Sequence, residues 1–276
     1  MEVRVAACQI EARVDSPDPA VAVAAVRQAA DAGARLIVLP EQAVSGYCFA
    51  DADEALAAAE PLDGPTVQLL RSLSAELGCV LVAGYCERGE SGRIYDSAVV
   101  VDAGEVLQNY RKVHLWGREA EWFTPGSRPP SAVDTRAGRV AVMICYDLEF
   151  PEFARLAALD GADIIAAPCN WPLLPRPATE RPLELIKAQA SAGTNKVHIV
   201  VADRCGPERG TDWIGGSAVI DASGYLLADA ATPYGETARP VVLTADLDTD
   251  TPRDKSLGPH NNAFTDRRPT LYTGLT

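Results

Sequence analysis

The 276-residue sequence lacks several features that would place it in a class at once. No apolar run approaches the roughly 20 residues that span a bilayer, and the N-terminus has neither a basic segment nor a long apolar core. We therefore expect a cytoplasmic protein with no membrane partner. Histidine is scarce, at three residues, and neither an HExxH motif nor paired Cys/His spacing is present, which argues against a metal site.

Positive charge is also in short supply. Lys and Arg number 25 against 38 Asp and Glu, a formal net charge of −13. Phosphate backbones and anionic lipids need a surplus of cations, so nucleic acid is excluded as an expected partner. The seven cysteines form an odd set without a CxxC pair, and we expect them to be reduced and mostly small core residues.

Apolar stretches typical of strands alternate with Ala-rich stretches typical of helices. Strands are predicted at 3–10, 35–41, 79–85, 163–168 and 198–204, and helices at 18–34, 63–78, 182–195 and after Pro151. Two antiparallel hairpins are predicted to turn at 102–104 and 222–224. The mixture predicts an α/β fold, a four-layer α-β-β-α sandwich of two mixed sheets with outer helices. No segment has the composition of a linker, so one domain is expected over residues 1–276.

A cysteine stands where one strongly apolar run ends. Residues 140–144 predict a buried strand, Cys145 follows it, and Pro151 fits the first turn of the next helix. The thiol is thus expected in a strand-to-helix turn, near N–H groups that lack intrahelical partners. Such a place favours the thiolate, lowers the thiol pKa from about 8.5 and offers donors to an oxyanion, so Cys145 is a candidate nucleophile. The neighbouring carboxylates are interpreted as complements to the helix dipole: Asp147, Glu149 and Glu152.

A nucleophile needs a base, and two other strand ends offer charged partners. Glu41 closes the apolar run 35–41, at the kind of strand end where α/β folds gather their sites. Lys112 follows the second strand of the first hairpin. The three histidines have no comparable position, since none ends a strand as Cys145 does. A carboxylate, an ammonium and a thiol at three strand ends are therefore the candidate catalytic set.

At these residues the chain resembles the nitrilase superfamily of carbon–nitrogen hydrolases, most closely its aliphatic amidase-like branch. The matching blocks are "LIVLPEQAVSGY", "YRKVHLWGREAEWFTPG" and "VMICYDLEFPE", in this order, within a similarity that runs from Val3 to about Tyr272. The resemblance implies a Glu-Lys-Cys triad at Glu41, Lys112 and Cys145. It also implies a second active-site glutamate at Glu119, with Glu121 as the nearby competitor. It further implies an α-β-β-α fold and a homodimer or higher oligomer.

The implied activity is a thiol-dependent amidase that needs no cofactor. Cys145 would attack a small linear amide, Glu41 would move the proton, and Lys112 with the N–H of Tyr146 would stabilise the oxyanion before water hydrolyses the thioester. Glu149 stands where omega-amidase-like relatives carry Arg, which puts an alpha-keto acid amide in doubt and favours aliphatic amides, including ω-amino and guanidino ones. An N-carbamoyl-amine hydrolase with the same triad, and a redox-sensing or non-catalytic thiol protein, are the alternatives.

Residues just beyond the strand ends are candidates for the pocket wall. We expect substrate contacts from Tyr47, Trp116, Tyr146, Asn170 and Trp171. For Trp116 and Trp171, packing or a dimer interface is an equally open interpretation. Trp122 and Phe123 are assigned to packing, and the entrance is assigned to Asp203, Arg204 and Asp212. The polar tail, about 256–276, is expected to reach a partner subunit.

Overall fold

The computed structural model describes residues 1–230 and 232–275. In this part of the chain β-strands and α-helices alternate through most of the sequence. The strands are β1 (Glu2–Gln9), β2 (Leu36–Val38), β3 (Val80–Arg88), β4 (Ile94–Asp102), β5 (Glu105–Arg111), β6 (Ala132–Thr135), β7 (Gly138–Val142), β8 (Ile164–Cys169), β9 (His198–Asp203), β10 (Ala218–Ile220), β11 (Leu226–Asp229) and β12 (Val241–Asp248). The helices are α1 (Pro19–Asp31), α2 (Ala52–Ala58), α3 (Pro65–Leu77), α4 (Pro151–Leu159) and α5 (Leu183–Asn195).

The strands form two mixed six-stranded sheets. The first has the order β12-β1-β2-β3-β4-β5 and the second the order β11-β10-β9-β8-β7-β6. In the first sheet β2 runs parallel to β1 and β3, while β4 and β5 form the predicted hairpin. In the second sheet β7, β8 and β9 are parallel, and β10 with β11 forms the other predicted hairpin. In each sheet, the carboxyl ends of several strands therefore lie at the same edge.

The sheets pack face to face, which confirms the predicted sandwich of two mixed sheets with outer helices. One hydrophobic core joins Val5 and Val82 of the first sheet to Val140 and Ile164 of the second. A second core lies between the outer face of the first sheet and two helices that cover it. Its residues include Val26 of α1 and Leu70 of α3. Helices α4 and α5 cover the second sheet through small side chains, mainly alanines. The close alanine packing brings the helices near the sheet.

Local sequence signals account for the helix starts. Pro19, Pro65 and Pro151 each occupy the first turn of a helix, where a missing N–H costs nothing. The side chain of Asp18 accepts a hydrogen bond from Ala20 N at 2.9 Å and caps α1. The predictions missed α2 and strands β6 and β12. Strand β2 ends at Val38 and is shorter than predicted, whereas β7 has the predicted length but ends two residues early, at Val142. The residues just beyond those ends turn towards the site instead.

Two further features bear on the sequence predictions. None of the helices formed by the described residues is both long and apolar enough to cross a membrane. In the tail, Phe264 packs against the main core, and the guanidinium of Arg155 on α4 and the ammonium of Lys255 lie over its ring. The tail thus contacts its own chain, and its packing on a partner subunit stays a prediction.

Candidate active site

The candidate residues lie just beyond the ends of three strands. Glu41 follows β2, Lys112 directly follows β5, and Cys145 follows β7. Because β5 is antiparallel to β4, and β4 to β3, the carboxyl ends of β2 and β5 share one edge of the first sheet. Face-to-face packing of the sheets brings this edge to the turn after β7, so the fold gathers the three side chains.

Lys112 is the centre of the site. Its side chain is fully buried, and its Nζ donates to Glu41 Oε1 at 2.6 Å and to Glu119 Oε1 at 2.7 Å. A third carboxylate, Asp96 of β4, has Oδ2 at 3.5 Å from the same nitrogen. One ammonium is therefore surrounded by three carboxyl groups in a region closed to bulk water. Short charge-assisted contacts of this kind hold the cation in one place.

Of the two candidate glutamates after Lys112, the structure places only Glu119 in the cluster. Glu119 is buried in the 3-10 helix Gly117–Glu121, its Oε1 accepts a short hydrogen bond from the hydroxyl of Tyr47, and its Oε2 accepts from Trp116 N at 2.8 Å. Glu121 is exposed and pairs with Arg118 at 3.0 Å. The two neighbours thus have separate environments, one dry and one in solvent.

Burial and mutual charge shift the pKa of both central groups. Burial, the negative charge of a Cys145 thiolate and the carboxyl group of Asp96 raise the pKa of Glu41 well above its usual value, although Lys112 opposes the shift. For Lys112, burial alone would lower the pKa, but the carboxylates of Glu119 and Glu41 raise it well above its usual value. Lys112 therefore stays an ammonium, and Glu41 holds a proton more readily than an exposed glutamate does.

Cys145 begins a 3-10 helix, Cys145–Glu149, in an unusual backbone conformation. Its φ is +48°, in the left-handed region that side-chain-bearing residues rarely adopt, and only 4% of the residue is exposed. The expected lowering of its thiol pKa is wrong. Burial and the neighbouring Cys169 thiol raise the pKa of Cys145 well above its usual value, against a smaller opposing effect of Lys112. The resting group is a thiol, so a base must remove its proton during attack.

The backbone of Glu41 is held by both sheets. Gly84 of β3 lies so close that a Cβ there would come within 2.5 Å of Glu41 Cα, which explains the glycine inside this buried strand. From the second sheet, Asn170 donates from Nδ2 to the carbonyl oxygen of Glu41 at 2.9 Å. The Oε2 atom of Glu41 and the Oδ1 atom of Asn170 are buried without a hydrogen-bond partner among the described residues. Both oxygens are therefore free to accept hydrogen bonds from a reacting group, and Glu41 Oε2 can also take a proton.

Asp147 joins the turn at Cys145 to the segment after Lys112. It accepts from Ile144 N at 3.3 Å at the start of the 3-10 helix Cys145–Glu149, whereas the dipole interpretation concerned the start of α4. It also accepts from His114 N at 2.9 Å and from the hydroxyl of Tyr110 at 2.7 Å, and it is fully buried. The dipole interpretation was therefore incomplete for Asp147. The other two carboxylates fit the surface, since Glu149 pairs with Lys187 of α5 and Glu152 is exposed in α4.

A cavity of about 400 Å³ leads to this cluster. Two of its lining residues contact the triad: Glu119 accepts a hydrogen bond from Lys112, and Asn170 donates one to the backbone oxygen of Glu41. Cys145 itself does not line it. Six aromatic residues line it: Tyr47, Phe49, Trp116, Trp122, Phe123 and Trp213. An apolar wall with a few polar groups at one end is typical of a small-molecule site.

The predicted substrate contacts divide into two groups in the structure. Three line the cavity: Tyr47, Trp116 and Asn170. Tyr146 packs edge-on against the Trp116 ring at 4.9 Å, one layer behind the wall. Trp171 is 2% exposed and packs on Gly216, so it is a core residue. Trp122 and Phe123 pack in a small hydrophobic cluster with Phe49, as predicted, and they also line the cavity.

The predicted entrance residues also lie elsewhere. Asp203 and Arg204 are buried behind the cavity and Asp212 is exposed outside its lining. The charged residues that line the cavity near its opening are Arg118 and Arg209. Each is already paired, Arg118 with Glu121 and Arg209 with Asp15 and Glu54. Among the described residues, the only carboxylate in the lining is Glu119, which Lys112 neutralises.

The acidic cluster raises the question of a metal ion. Oxygens of Glu41, Asp96 and Glu119 lie within 4.8 Å of one another, a spacing that a cation could bridge. Lys112 Nζ lies within 3.5 Å of all three groups, at the place that a metal would take. The donor set is therefore satisfied by an ammonium.

The sequence prediction missed several residues of the site. Asp96 was overlooked because it was treated as part of an apolar strand, although a charged residue at the start of "YDSAVVV" was a visible signal. The loop residues of the wall, among them Phe49 and Trp213, carry no such signal, since their approach to the cavity depends on contacts between distant loops. Trp213, for example, meets the Tyr47 ring edge-on at 5.5 Å across 166 residues of sequence.

Comparison with known proteins agrees with this fold and site. The sequence model of the carbon–nitrogen hydrolase family matches residues 4–254. A nitrilase from Pyrococcus abyssi is 36% identical over 98% of this chain and 99% of its own length. An N-carbamoylputrescine amidase from Solanum lycopersicum is 32% identical over 99% of this chain and 94% of its own.

Solved structures give the same result. An amidase from Nesterenkonia sp. superposes with a TM-score of 0.76 at 28% identity, covering 99% of this chain and 96% of that chain. A variant of the Nesterenkonia sp. AN1 amidase, in which acrylamide has added to the active-site cysteine, matches with a TM-score of 0.77 at 27% identity, covering 99% and 100%. The family model, the relatives and the matching sandwich lead to one conclusion: this chain belongs to the carbon–nitrogen hydrolase family, within the nitrilase superfamily.

Proposed function

We propose that the protein is a thiol-dependent amidase that converts a small uncharged amide to its carboxylate and ammonia through a thioester on Cys145. The observation that carries this proposal is the buried contact of Glu41 and Glu119 with Lys112, near enough to Cys145 for the charges to interact, next to a cavity that Glu119 lines. A sensor thiol needs neither the base nor the ammonium. A non-catalytic protein that only binds a ligand would not need to bury these carboxylates away from water.

The first half of the reaction forms the thioester. Cys145 Sγ attacks the amide carbonyl while Glu41, whose pKa is raised by burial, takes the thiol proton. The oxyanion is stabilised by the Lys112 ammonium and by the N–H of Tyr146, which lies in the first turn of a 3-10 helix. Glu41 then returns the proton to the nitrogen, and the C–N bond breaks to release ammonia.

The second half regenerates the enzyme. Water attacks the thioester carbonyl, and Glu41 accepts its proton. Collapse of the second tetrahedral intermediate breaks the C–S bond, and the sulfur regains a proton from Glu41. The product leaves as the carboxylic acid, which gives its remaining proton to ammonia or water and becomes the carboxylate. Glu119 does not need to exchange protons in this cycle, because its oxygens are engaged by Lys112, Tyr47 and Trp116. Its role is to hold the ammonium and to present a carboxylate to the amide NH2.

The charges around the cavity support an uncharged substrate. An ammonium or guanidinium tail would need a carboxylate, but Glu119 is the one carboxylate that the described residues bring to the lining, and Lys112 neutralises it. The opening carries Arg118 and Arg209 instead. The aromatic wall suits an aliphatic or aromatic side chain, and a volume of about 400 Å³ limits it to a small molecule. The acidity of the whole chain therefore does not extend into the site.

A second candidate is the hydrolysis of N-carbamoyl amines, which the likeness to N-carbamoylputrescine amidases supports. The same triad would attack the urea-like carbonyl, and the products would include carbon dioxide as well as ammonia. The lining again favours a carbamoyl derivative of a neutral amine over one with a second ammonium group. Product analysis separates the two candidates.

The test is a panel of primary amides and N-carbamoyl amines with measurement of ammonia, carboxylate and carbon dioxide. We expect ammonia and carboxylate from uncharged amides, and no turnover in Cys145→Ala or Cys145→Ser. Mass spectrometry of a slow substrate should show an acyl adduct on Cys145. The control is Cys8→Ala, since Cys8 is buried on the face of β1 that α1 covers, and its thiol donates to Ala25 O. Full activity in Cys145→Ala would refute the assignment.

We propose further that two copies associate through α4 and α5. These helices expose Leu156, Leu159 and Ile186 beside a groove that also receives Tyr272 of the tail. Exposed apolar side chains clustered on one face favour an interface. Sedimentation should give a dimer for the wild type and a monomer for Leu159→Glu, while Leu107→Glu, also on an exposed leucine but on β5, should stay dimeric. A monomeric wild type contradicts the proposal.

A further inference from the structure

Asp96 is a buried carboxylate that the mechanism above does not use. It lies near the start of β4 and is 1% exposed. Gln42 Nε2 donates to its Oδ1 at 2.8 Å, and Lys112 Nζ lies 3.5 Å from its Oδ2. Its backbone oxygen also accepts from Lys112 N at 2.8 Å. Asp96 is therefore held by the segment after β2, which carries Glu41, and by the segment after β5, which carries Lys112.

The charge count of the cluster is unbalanced. Three carboxyl groups, Glu41, Asp96 and Glu119, meet a single ammonium, that of Lys112, and their oxygens lie within 4.8 Å of one another. If all three were ionised, two negative charges would remain unpaired in a dry region, which is costly. The cluster must therefore retain at least one proton, and this proton needs a donor oxygen and an acceptor oxygen close to each other.

The unpaired atoms show where that proton belongs. Glu41 Oε2 and Asp96 Oδ2 are both buried without a hydrogen-bond partner among the described residues. Both oxygens of Glu119 are engaged, Oε1 by Lys112 and Tyr47 and Oε2 by Trp116 N. A single proton between Glu41 and Asp96 gives the first two atoms a partner, whereas a proton on Glu119 would leave both without one.

We propose that Asp96 is a positioning residue that shares a proton with Glu41 and thereby fixes the pH at which Glu41 becomes a base. The proposal rests on the proposed role of Glu41 in amide hydrolysis. A proton held between two neighbouring carboxyl groups belongs to the pair and not to either group alone. The other titratable groups that face the pair come from the loop after β2, from β3 and β5, from the Gly117–Glu121 helix, from the turn after β7 and from the end of β8: Tyr47, Cys86, Tyr110, Lys112, Glu119, Cys145 and Cys169.

The sign of the effect follows from the charge. A carboxylate beside Glu41 makes loss of the Glu41 proton harder, so the acidic limb of the kcat/KM profile lies higher than Glu41 alone would give. Asp96→Asn keeps an oxygen for Gln42 but removes the negative charge. The acidic limb should therefore move down by about one pH unit. At a given pH on that limb, kcat/KM expressed as a fraction of the plateau value should be about tenfold higher for the variant than for the wild type.

The experiment compares kcat/KM from pH 5 to pH 10 for wild type, Asp96→Asn and Asp96→Glu with an uncharged amide. We expect a lowered acidic limb in Asp96→Asn and a wild-type limb in Asp96→Glu. The matched control is Asp102→Asn, the same change at the other end of β4, where the carboxylate pairs with Arg136. An acidic limb that stays in place in Asp96→Asn overturns the proposal.

A second readout does not depend on turnover. The rate of Cys145 alkylation by iodoacetamide reports proton removal from the thiol, and its acidic limb should shift in Asp96→Asn by the same amount. A protein that releases no ammonia from any amide but shows this shift would refute the proposed function and retain the role of Asp96. If Asp96→Asn does not fold, infrared difference spectra of wild type minus Glu41→Gln at pH 7 decide. A carboxylic-acid C=O band supports the shared proton, and its absence overturns it.

Discussion

The hydroxyl of Tyr110 donates a 2.7 Å hydrogen bond to Asp147 Oδ2, and this bond crosses from one sheet to the other. Tyr110 is two residues before Lys112 on β5, and Asp147 is two residues after Cys145. The ammonium and the thiol of the proposed triad are thus fixed relative to each other by a contact that lies outside the cavity. Asp147 strengthens this link by accepting from His114 N as well.

We expect Tyr110→Phe to loosen this link without changing any group that touches substrate. Asp147 Oδ2 would keep only Ile144 N, at 3.3 Å. Loss of a buried hydrogen bond to a carboxylate should lower the free energy of unfolding by about 1–3 kcal/mol, and the misplaced turn should lower kcat about tenfold. Urea unfolding and steady-state kinetics measure both. The control, Tyr85→Phe, loses a hydroxyl bonded to Asn109 on the far face of the sheet and should keep its kcat.

Gly84 offers a test of how tightly Glu41 is held. A Cβ at position 84 would lie 2.5 Å from Glu41 Cα and 2.7 Å from Gln42 N, so Gly84→Ala must push the Glu41 backbone away. We expect a loss of about 1–3 kcal/mol in unfolding free energy and a drop in kcat, measured together with Tm. Ala83→Gly is the control, because Ala83 faces the α1 and α3 layer. It should lower Tm with kcat unchanged, and a fully active Gly84→Ala would contradict the argument.

Asp203 should make stability depend on pH. Burial raises the pKa of Asp203 to about 7 from an ordinary value of 3.8, although it accepts from Trp171 N, Arg204 N and Gly216 N. Between about pH 4 and pH 7 the folded chain therefore binds more protons than the unfolded chain. Wild-type stability should fall as pH rises through this window, by up to about 1.4 kcal/mol per pH unit from this group.

The measurement is urea unfolding of wild type and Asp203→Asn at pH 4.5, 6 and 8. The difference in unfolding free energy between the two proteins should shift against the wild type as pH rises, and should level off above pH 7. Asp134→Asn, at a side chain that is 87% exposed, should show no such trend. A pH-independent difference for Asp203→Asn would show that the carboxyl is already ionised in the folded state at pH 4.5.

The cavity opening provides a test of substrate charge. Arg118 lines it and its side chain is 62% exposed, so Arg118→Glu should fold normally while replacing a cation with an anion. We expect kcat/KM for an ω-ammonium amide to rise a few-fold relative to its uncharged analogue, and this gain to shrink at high salt. Arg128→Glu, outside the lining, is the control. An unchanged ratio in Arg118→Glu would mean that the substrate tail lies elsewhere.

Much of the fold could be predicted because its signals are local. The hairpin between β4 and β5 follows from two apolar runs around Asp102–Gly104, and α4 begins at Pro151 because proline fits only the first turn. Strand β12 escaped prediction, since its partially exposed run pairs with β1 across the whole length of the chain. Pairing over such a distance leaves no trace in either segment.

The sequence by itself determined the sandwich and the positions of Glu41, Lys112 and Cys145 at strand ends, because apolar periodicity and breaks in it are properties of short segments. Only the tertiary structure decided their chemistry. The pKa of the thiol is raised and not lowered because burial outweighs the favourable turn. Asp96, inside a strand, joins the cluster because sheet packing removes water from three carboxyls at once, and dehydration is a property of the assembled layers.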